Sequence, residues 1–282
     1  MKIIESPREG MQGFSRVIPT EEKARYINQL LRIGFETVEI GSIVSPKIIP
    51  QMADSIEVLK KLDLSGTYSN RMMLAVNTRG AGILAGLDEI THISYPFSFS
   101  PTFLYHNVKS TVEQSLETVS DVVNLCAQHN KHSVIYISMA FGNPYGDQWD
   151  LNILVHWVRE LHQLGVRTIP LSNVSIEISE KLIGEIFSTL IPLFPDIEFG
   201  LHLHTTNQDW FEKVNAAYLA GCGRFDGVIN GWGGCPMAGK EMLGNLKTEN
   251  LLDFAFRNGI ILNIDREELL KSYEIAGKIF KE

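Results

Sequence analysis

The sequence predicts an α/β fold, a (β/α)8 TIM barrel with C-terminal helices, on two observations. Eight short β-rich runs alternate with longer amphipathic stretches along the whole chain, and crossovers of helical length join neighbouring strands in parallel. The turn after the first strand, Ser6-Pro7-Arg8-Glu9-Gly10, lacks the glycine-rich phosphate loop that a doubly wound sheet carries there.

The strands are expected at 2–5, 36–41, 72–76, 90–95, 133–140, 166–171, 197–203 and 224–230. In the helical stretch 20–33, Ala24, Ile27, Leu30 and Leu31 recur at helix spacing after a Thr20 cap, with Glu21 and Glu22 in the first turn. Similar stretches lie near 53–62, 110–129, 148–164, 178–193 and 207–220. No linker rich in Pro, Gly or Ser divides the 282 residues, so one catalytic domain is expected over 1–282. Its last part, about 248–282, reads as two C-terminal helices covering the outside or floor of the barrel.

The composition excludes several function classes. A net charge of -8 with scattered Lys and Arg does not make a nucleic-acid surface, which needs concentrated positive charge. No apolar run approaches the roughly 18 residues of a membrane span, and Met1 to Gly10 contains no secretory apolar core. Cys126, Cys222 and Cys235 are odd in number and far apart, which points to a reducing compartment and a cytoplasmic protein.

In such a barrel the chemistry gathers at the C-terminal strand ends. The polar residues there are Arg8, Glu9 and Gln12, then Glu39, Asn77, Asn143, Asn173, His202, His204 and Asn230. Leu201-His202-Leu203-His204 puts two imidazoles on one face of a strand. They read either as a metal-ligating pair, which Glu9 would complete with a carboxylate, or as two polar residues at a wet barrel mouth. Glu39 inside an apolar strand requires a partner, and Arg8 is one on offer. In Gly231-Trp232-Gly233-Gly234-Cys235-Pro236 the glycines let the loop fold over the mouth, where the Cys235 thiol is placed to act as an acid. The plainer reading makes Cys235 a small turn residue. Cys126 and Cys222 read as structural.

Several spaced motifs agree with one family. Pro7-Arg8-Glu9-Gly10-Met11-Gln12 resembles a PRDGLQ-type opening. Val44-Ser45-Pro46-Lys47, Pro50-Gln51-Met52-Ala53-Asp54, the His202/His204 pair, Gly233-Gly234-Cys235-Pro236 and Gly244-Asn245-Leu246 with Thr248-Glu249 follow in order. From about residue 5 to residue 255 the chain resembles the 3-hydroxy-3-methylglutaryl-CoA lyases of the metal-dependent lyase/synthase TIM-barrel superfamily.

The resemblance implies a divalent metal, Mg²⁺ or Mn²⁺ before Zn²⁺ or Co²⁺, held by Glu9, His202, His204 and Asn245. It implies retro-Claisen cleavage of a hydroxyacyl thioester to an acyl-CoA enolate and a keto acid. Arg8 would stabilise the developing charge, Glu39 would order the site, His202 would ligate and relay a proton, and Cys235 would protonate the enolate. Gln12, Asn77, Asn107, Asn143 and Asn173 are the expected substrate contacts. A small-molecule acyl-CoA or a hydroxy or oxo acid is the expected partner, and a homodimer is the assembly entertained.

Some positions depart from the family pattern. Its first-strand aspartate is Glu9, its Asp-Thr after strand 6 is Asn173-Val174, and the aspartate after the paired histidines is Thr205. Asn143-Pro144 stands for Cys-Pro, and Tyr105, His106 and Ser15 stand where lysines are usual. Fewer lysines mean fewer partners for CoA phosphates. An aldolase or Claisen-type enzyme acting on a free acid is therefore the alternative, with a non-catalytic metal-binding barrel as a third reading.

Overall fold

A computed structural model describes residues 1–14, 16–174, 177–206, 208–233 and 244–280. Eight parallel strands close a barrel in chain order, with β8 returning to β1. The chain runs β1 (Lys2–Glu5), α1 (Pro7–Gln12), α2 (Thr20–Leu30), β2 (Thr37–Ile43), α3 (Ser55–Leu59), β3 (Asn70–Ala75), α4 (Thr78–Ala85) and β4 (His92–Phe97). It continues with α5 (Pro101–Val108), α6 (Val112–Gln128), β5 (His132–Ser138), α7 (Leu151–Gln163), β6 (Thr168–Ser172) and α8 (Glu180–Leu193). Last come β7 (Glu198–His202), α9 (Trp210–Leu219), β8 (Arg224–Gly227), α10 (Thr248–Arg257) and α11 (Arg266–Ile279).

Alternation along the strands sorts the side chains into two compartments. Ile93, Tyr95, Phe97, Ile135 and Ile137 face outward and join the apolar faces of the helices in the main core. Ile4, Met72, Val134 and Tyr136 form a small separate cluster within the barrel. The barrel interior also carries buried Glu39, Ser94, His202, Arg224 and Asp226. Polar groups so placed require partners inside the protein, and they make the interior chemically active rather than inert filling.

All eight expected strands are present, with ends displaced by a few residues. Pro7 starts a helix where a charged turn was expected, since a proline at the first helical position loses no needed N–H. Thr20 is not a cap: Pro19 precedes the helix, and the Thr20 hydroxyl donates to Asp54 at 2.7 Å. Helices α4 and α5 carry too short an apolar pattern to stand out in the sequence. β7 ends at His202, and His204 lies beyond it, bridged antiparallel to Asn245. Helix α10 packs on β8 and β1, and α11 on α2, so both C-terminal helices cover the barrel's side. No helix among the described residues is long and apolar enough to cross a membrane.

Candidate active site

Helix α1 turns the chain inward directly after β1 and buries Arg8 at the barrel mouth. Arg8 Nη2 lies 2.8 and 3.0 Å from the two oxygens of Glu39 and 2.9 Å from Oε1 of Glu9. Its Nη1 donates to Gln12 Oε1 at 2.8 Å. One guanidinium thus serves two carboxylates, and Gln12 steers it through Oε1. Burial pushes the Glu39 carboxyl up against the pull of Arg8. Burial acts to raise Glu9 as well, but Arg8 and then His202 and His204 outweigh it and hold Glu9 low.

The two imidazoles lie together, with ring centroids 5.1 Å apart. His202 Nδ1 is 3.0 Å from Asp226 Oδ2, and although burial disfavours its charged form, that hydrogen bond raises its pKa. Burial and then the charge of His202 push His204 down to about 3, so it is a neutral imidazole at pH 7. The side-chain amide of Asn173 holds the His204 backbone, and Asn245 sits beside His204 across the antiparallel bridge. Asn245 Nδ2 donates to Trp232 O at 2.8 Å, which leaves its carbonyl oxygen as the accepting end.

Whether these residues suit a cation is decided by His204. Its Nδ1 is buried without a hydrogen-bond partner, a costly state for a polar atom that a metal ion would relieve. Two imidazoles, deprotonated on ligation, with an amide oxygen nearby form a donor set for a divalent ion. Glu9, the expected carboxylate ligand, is paired with Arg8 through Oε1. Among the described residues no three His, Cys, Asp or Glu side chains form a ready cation cage. The fit therefore rests on His202, His204 and Asn245, with Glu9 Oε2 as the further oxygen that pairing through Oε1 leaves to the site.

The other expected contacts each make hydrogen bonds within the chain or lie at its surface. Asn77 caps α4 by accepting from Gly80 N at 2.8 Å. Asn143 accepts from Tyr145 N and Asp147 N, both at 3.0 Å, and donates to Asp147 O at 2.9 Å, so it staples its own loop. Asn173 uses its donor and its acceptor on His204. Asn107 lies exposed on α5, away from the Arg8 cluster's hydrogen bonds. Cys235 and Ser15 lie outside the described residues. Cys126 and Cys222 are buried, and burial pushes each thiol up to about 12, as structural cysteines require. The start of the loop that carries Cys235 does approach the site. Gly233 has φ +77°, and a Cβ there would come within 2.4 Å of the Glu9 carbonyl, so only glycine fits.

The fold and site have counterparts among known proteins. The HMGL-like family profile matches residues 1–275. The chain belongs to the HMGL-like family. The hydroxymethylglutaryl-CoA lyase of Bacillus subtilis is 30% identical over 94% of this chain and 88% of its own length. The cytoplasmic 3-hydroxy-3-methylglutaryl-CoA lyase of Danio rerio is 31% identical, over 100% and 82%. An HMG-CoA lyase from Acinetobacter baumannii, solved in complex with coenzyme A and 3-methylmalate, matches with a TM-score of 0.89 at 28% identity, covering 99% of this chain and 91% of that one.

Three residues of this HMGL-like site escape the sequence reading. Asp226, Tyr136 and Arg224 face the barrel interior; Asp226 and Tyr136 meet His202, and Arg224 lies beside Asp226. The available signal was a pair of charges two residues apart, Arg224 and Asp226, in a strand otherwise suited to burial.

Proposed function

We propose that this HMGL-like chain is a metal-dependent carbon–carbon lyase that cleaves a 3-hydroxyacyl-CoA of the 3-hydroxy-3-methylglutaryl kind. The observation that carries this is Arg8, a buried cation held by Glu39 at 2.8 Å, in a site whose two adjacent imidazoles feel the charge of Glu9. The named lyases among its relatives supply the substrate class.

A divalent ion, Mg²⁺ or Mn²⁺ for this mixed donor set, would be held by Glu9, His202, His204 and Asn245 and would supply Lewis acidity toward substrate oxygens. The chain's own residues do the rest. In the reaction the carbinol hydroxyl loses its proton and the bond between the carbinol carbon and the thioester α-carbon breaks. A ketone forms, the electron pair passes to the α-carbon as an enolate, and a proton closes that carbon.

Arg8 stabilises the oxyanion character of this sequence, and Glu39 fixes its guanidinium so that no reorganisation is needed at the moment of reaction. As a ligand, the neutral His202 ring has one free lone pair, because Nδ1 is engaged by Asp226. Ligation and proton relay therefore exclude one another at Nε2, and ligation is the assignment. Cys235 remains the proposed donor to the enolate carbon.

The free-acid alternative has less support, since the named relatives are CoA lyases. Helix α5 also keeps a cation near the exposed pair that replaces lysines: Lys109 Nζ lies 4.9 Å from the Tyr105 ring centre. Buried free thiols at Cys126 and Cys222 accord with a cytoplasmic setting. The test is a panel of hydroxyacyl-CoAs and the matching free acids, assayed with Mg²⁺ or Mn²⁺. Cleavage confined to the thioesters supports the proposal. Cleavage of free acids alone supports the aldolase reading, and bound metal without turnover supports the non-catalytic one.

A further inference from the structure

Asp226 lies where three other buried polar side chains of the barrel interior meet. Its Oδ2 accepts from the Tyr136 hydroxyl at 2.7 Å and stands 3.0 Å from His202 Nδ1. Arg224 faces the same interior, with Nε 3.9 Å from Asp226 Oδ1 and Nη1 3.6 Å from Glu198. The register of β7 and β8 sets this arrangement, pairing Gly200 with Arg224 and His202 with Asp226. A Cβ at Gly200 would come within 2.9 Å of Arg224 Cδ, so the absence of a side chain there leaves the groove in which the arginine stem lies.

An ionised carboxylate has no hydrogen to give, so the shared hydrogen between Asp226 and His202 belongs to the imidazole Nδ1. In the neutral ring, the form that ligates, the other nitrogen, Nε2, is then left with its lone pair. A carboxylate in this position sets the tautomer and orientation of a ligating histidine.

We propose that Asp226 is a positioning residue: braced by Tyr136 and Arg224, it fixes His202 as the Nδ1–H tautomer and presents Nε2 as the ligating atom. This rests on the divalent-cation reading above. A purely structural role, in which Asp226 only neutralises Arg224, would leave the His202 tautomer and cation affinity untouched.

The experiment measures the ring-nitrogen shifts of His202 in metal-free, ¹⁵N-histidine-labelled protein, and Mn²⁺ affinity by titration, in wild type, Asp226→Asn and Tyr136→Phe. Wild type is expected as the Nδ1–H form. Asp226→Asn should populate the Nε2–H form and weaken Mn²⁺ binding about 10- to 100-fold, the range for losing such a partner. Tyr136→Phe should keep the tautomer and weaken binding about fivefold, the worth of one hydrogen bond. An unchanged tautomer and an unchanged Kd in Asp226→Asn overturn the proposal. If that variant does not fold, an unchanged Kd in Tyr136→Phe overturns it. Wild type that binds no Mn²⁺ overturns the cation reading together with this role, whereas normal wild-type binding with unaffected variants overturns the role of Asp226 alone.

Discussion

The side chain of Asn173 clamps the backbone of His204 from both sides, donating through Nδ2 to its carbonyl and accepting through Oδ1 from its N–H, each at 2.8 Å. One donor and one acceptor are required there, which a carboxamide supplies and an ionised carboxylate does not. This explains why an asparagine suits the position where the resemblance leads one to expect an acid.

Asn173→Ala leaves two buried backbone groups of His204 unpaired. It should lower stability by about 2–4 kcal/mol, the cost of such groups, and weaken cation binding because His204 loses its anchor. Urea unfolding and Mn²⁺ titration check the two effects. Unchanged stability would show that water or neighbouring groups pair the His204 backbone in place of the clamp.

Arg8→Lys keeps the charge but cannot reproduce the forked contacts to Glu39, Glu9 and Gln12. The expected result is a fall in kcat of about 10²- to 10³-fold, as for loss of an oxyanion-stabilising donor. Steady-state kinetics on the cleaved thioester measure it. A change confined to KM would make Arg8 a binding residue only.

Glu5 gives a pH signature away from the chemistry. Its buried carboxyl accepts from Ile229 N at 3.0 Å and from the Thr248 hydroxyl, and burial pushes it from 4.5 up to about 8. The folded chain keeps a proton between those values that the unfolded chain has lost. Stability should therefore fall as pH rises from about 4.5 to about 8 and level off above, by an amount on the order of 4 kcal/mol. Glu5→Gln removes this slope while keeping an acceptor for Ile229 N. Urea unfolding at pH 5, 7 and 9 tests it, and parallel slopes for the two proteins would contradict it.

Cys235→Ala should lower kcat by about 10²- to 10⁴-fold, the usual worth of a general acid, with metal content and thermal stability unchanged. Alkylation should inactivate through Cys235, with substrate protecting, because Cys126 and Cys222 are buried with thiols near 12. Near-normal turnover in Cys235→Ala would reduce the residue to loop packing.

The barrel was legible because parallel strands and helices repeat with different periods, and His202 and His204 were legible because two polar residues break a strand's apolar face. Glu39 and Arg8 were found by the same rule, a charge needing a partner. The cap at Asn77 and the turn at Asn143 are not legible, because asparagine at a strand end suits a cap or a turn as well as a ligand. The charges of Arg224 and Asp226 mark a buried strand, but the meeting of Asp226 and Tyr136 with His202, 24 and 66 residues away in sequence, is encoded by no local pattern. The ion pair that draws Glu9 toward Arg8 also depends on distances that the sequence does not carry.

The most direct measurement follows the products of 3-hydroxy-3-methylglutaryl-CoA by NMR with Mn²⁺-free Mg²⁺ buffer, comparing wild type with the His202→Ala/His204→Ala double variant. The account predicts acetyl-CoA and acetoacetate in equal amounts from wild type, and none from a folded double variant. Equal cleavage by both proteins, or release of free coenzyme A by hydrolysis instead of carbon–carbon cleavage, would contradict it.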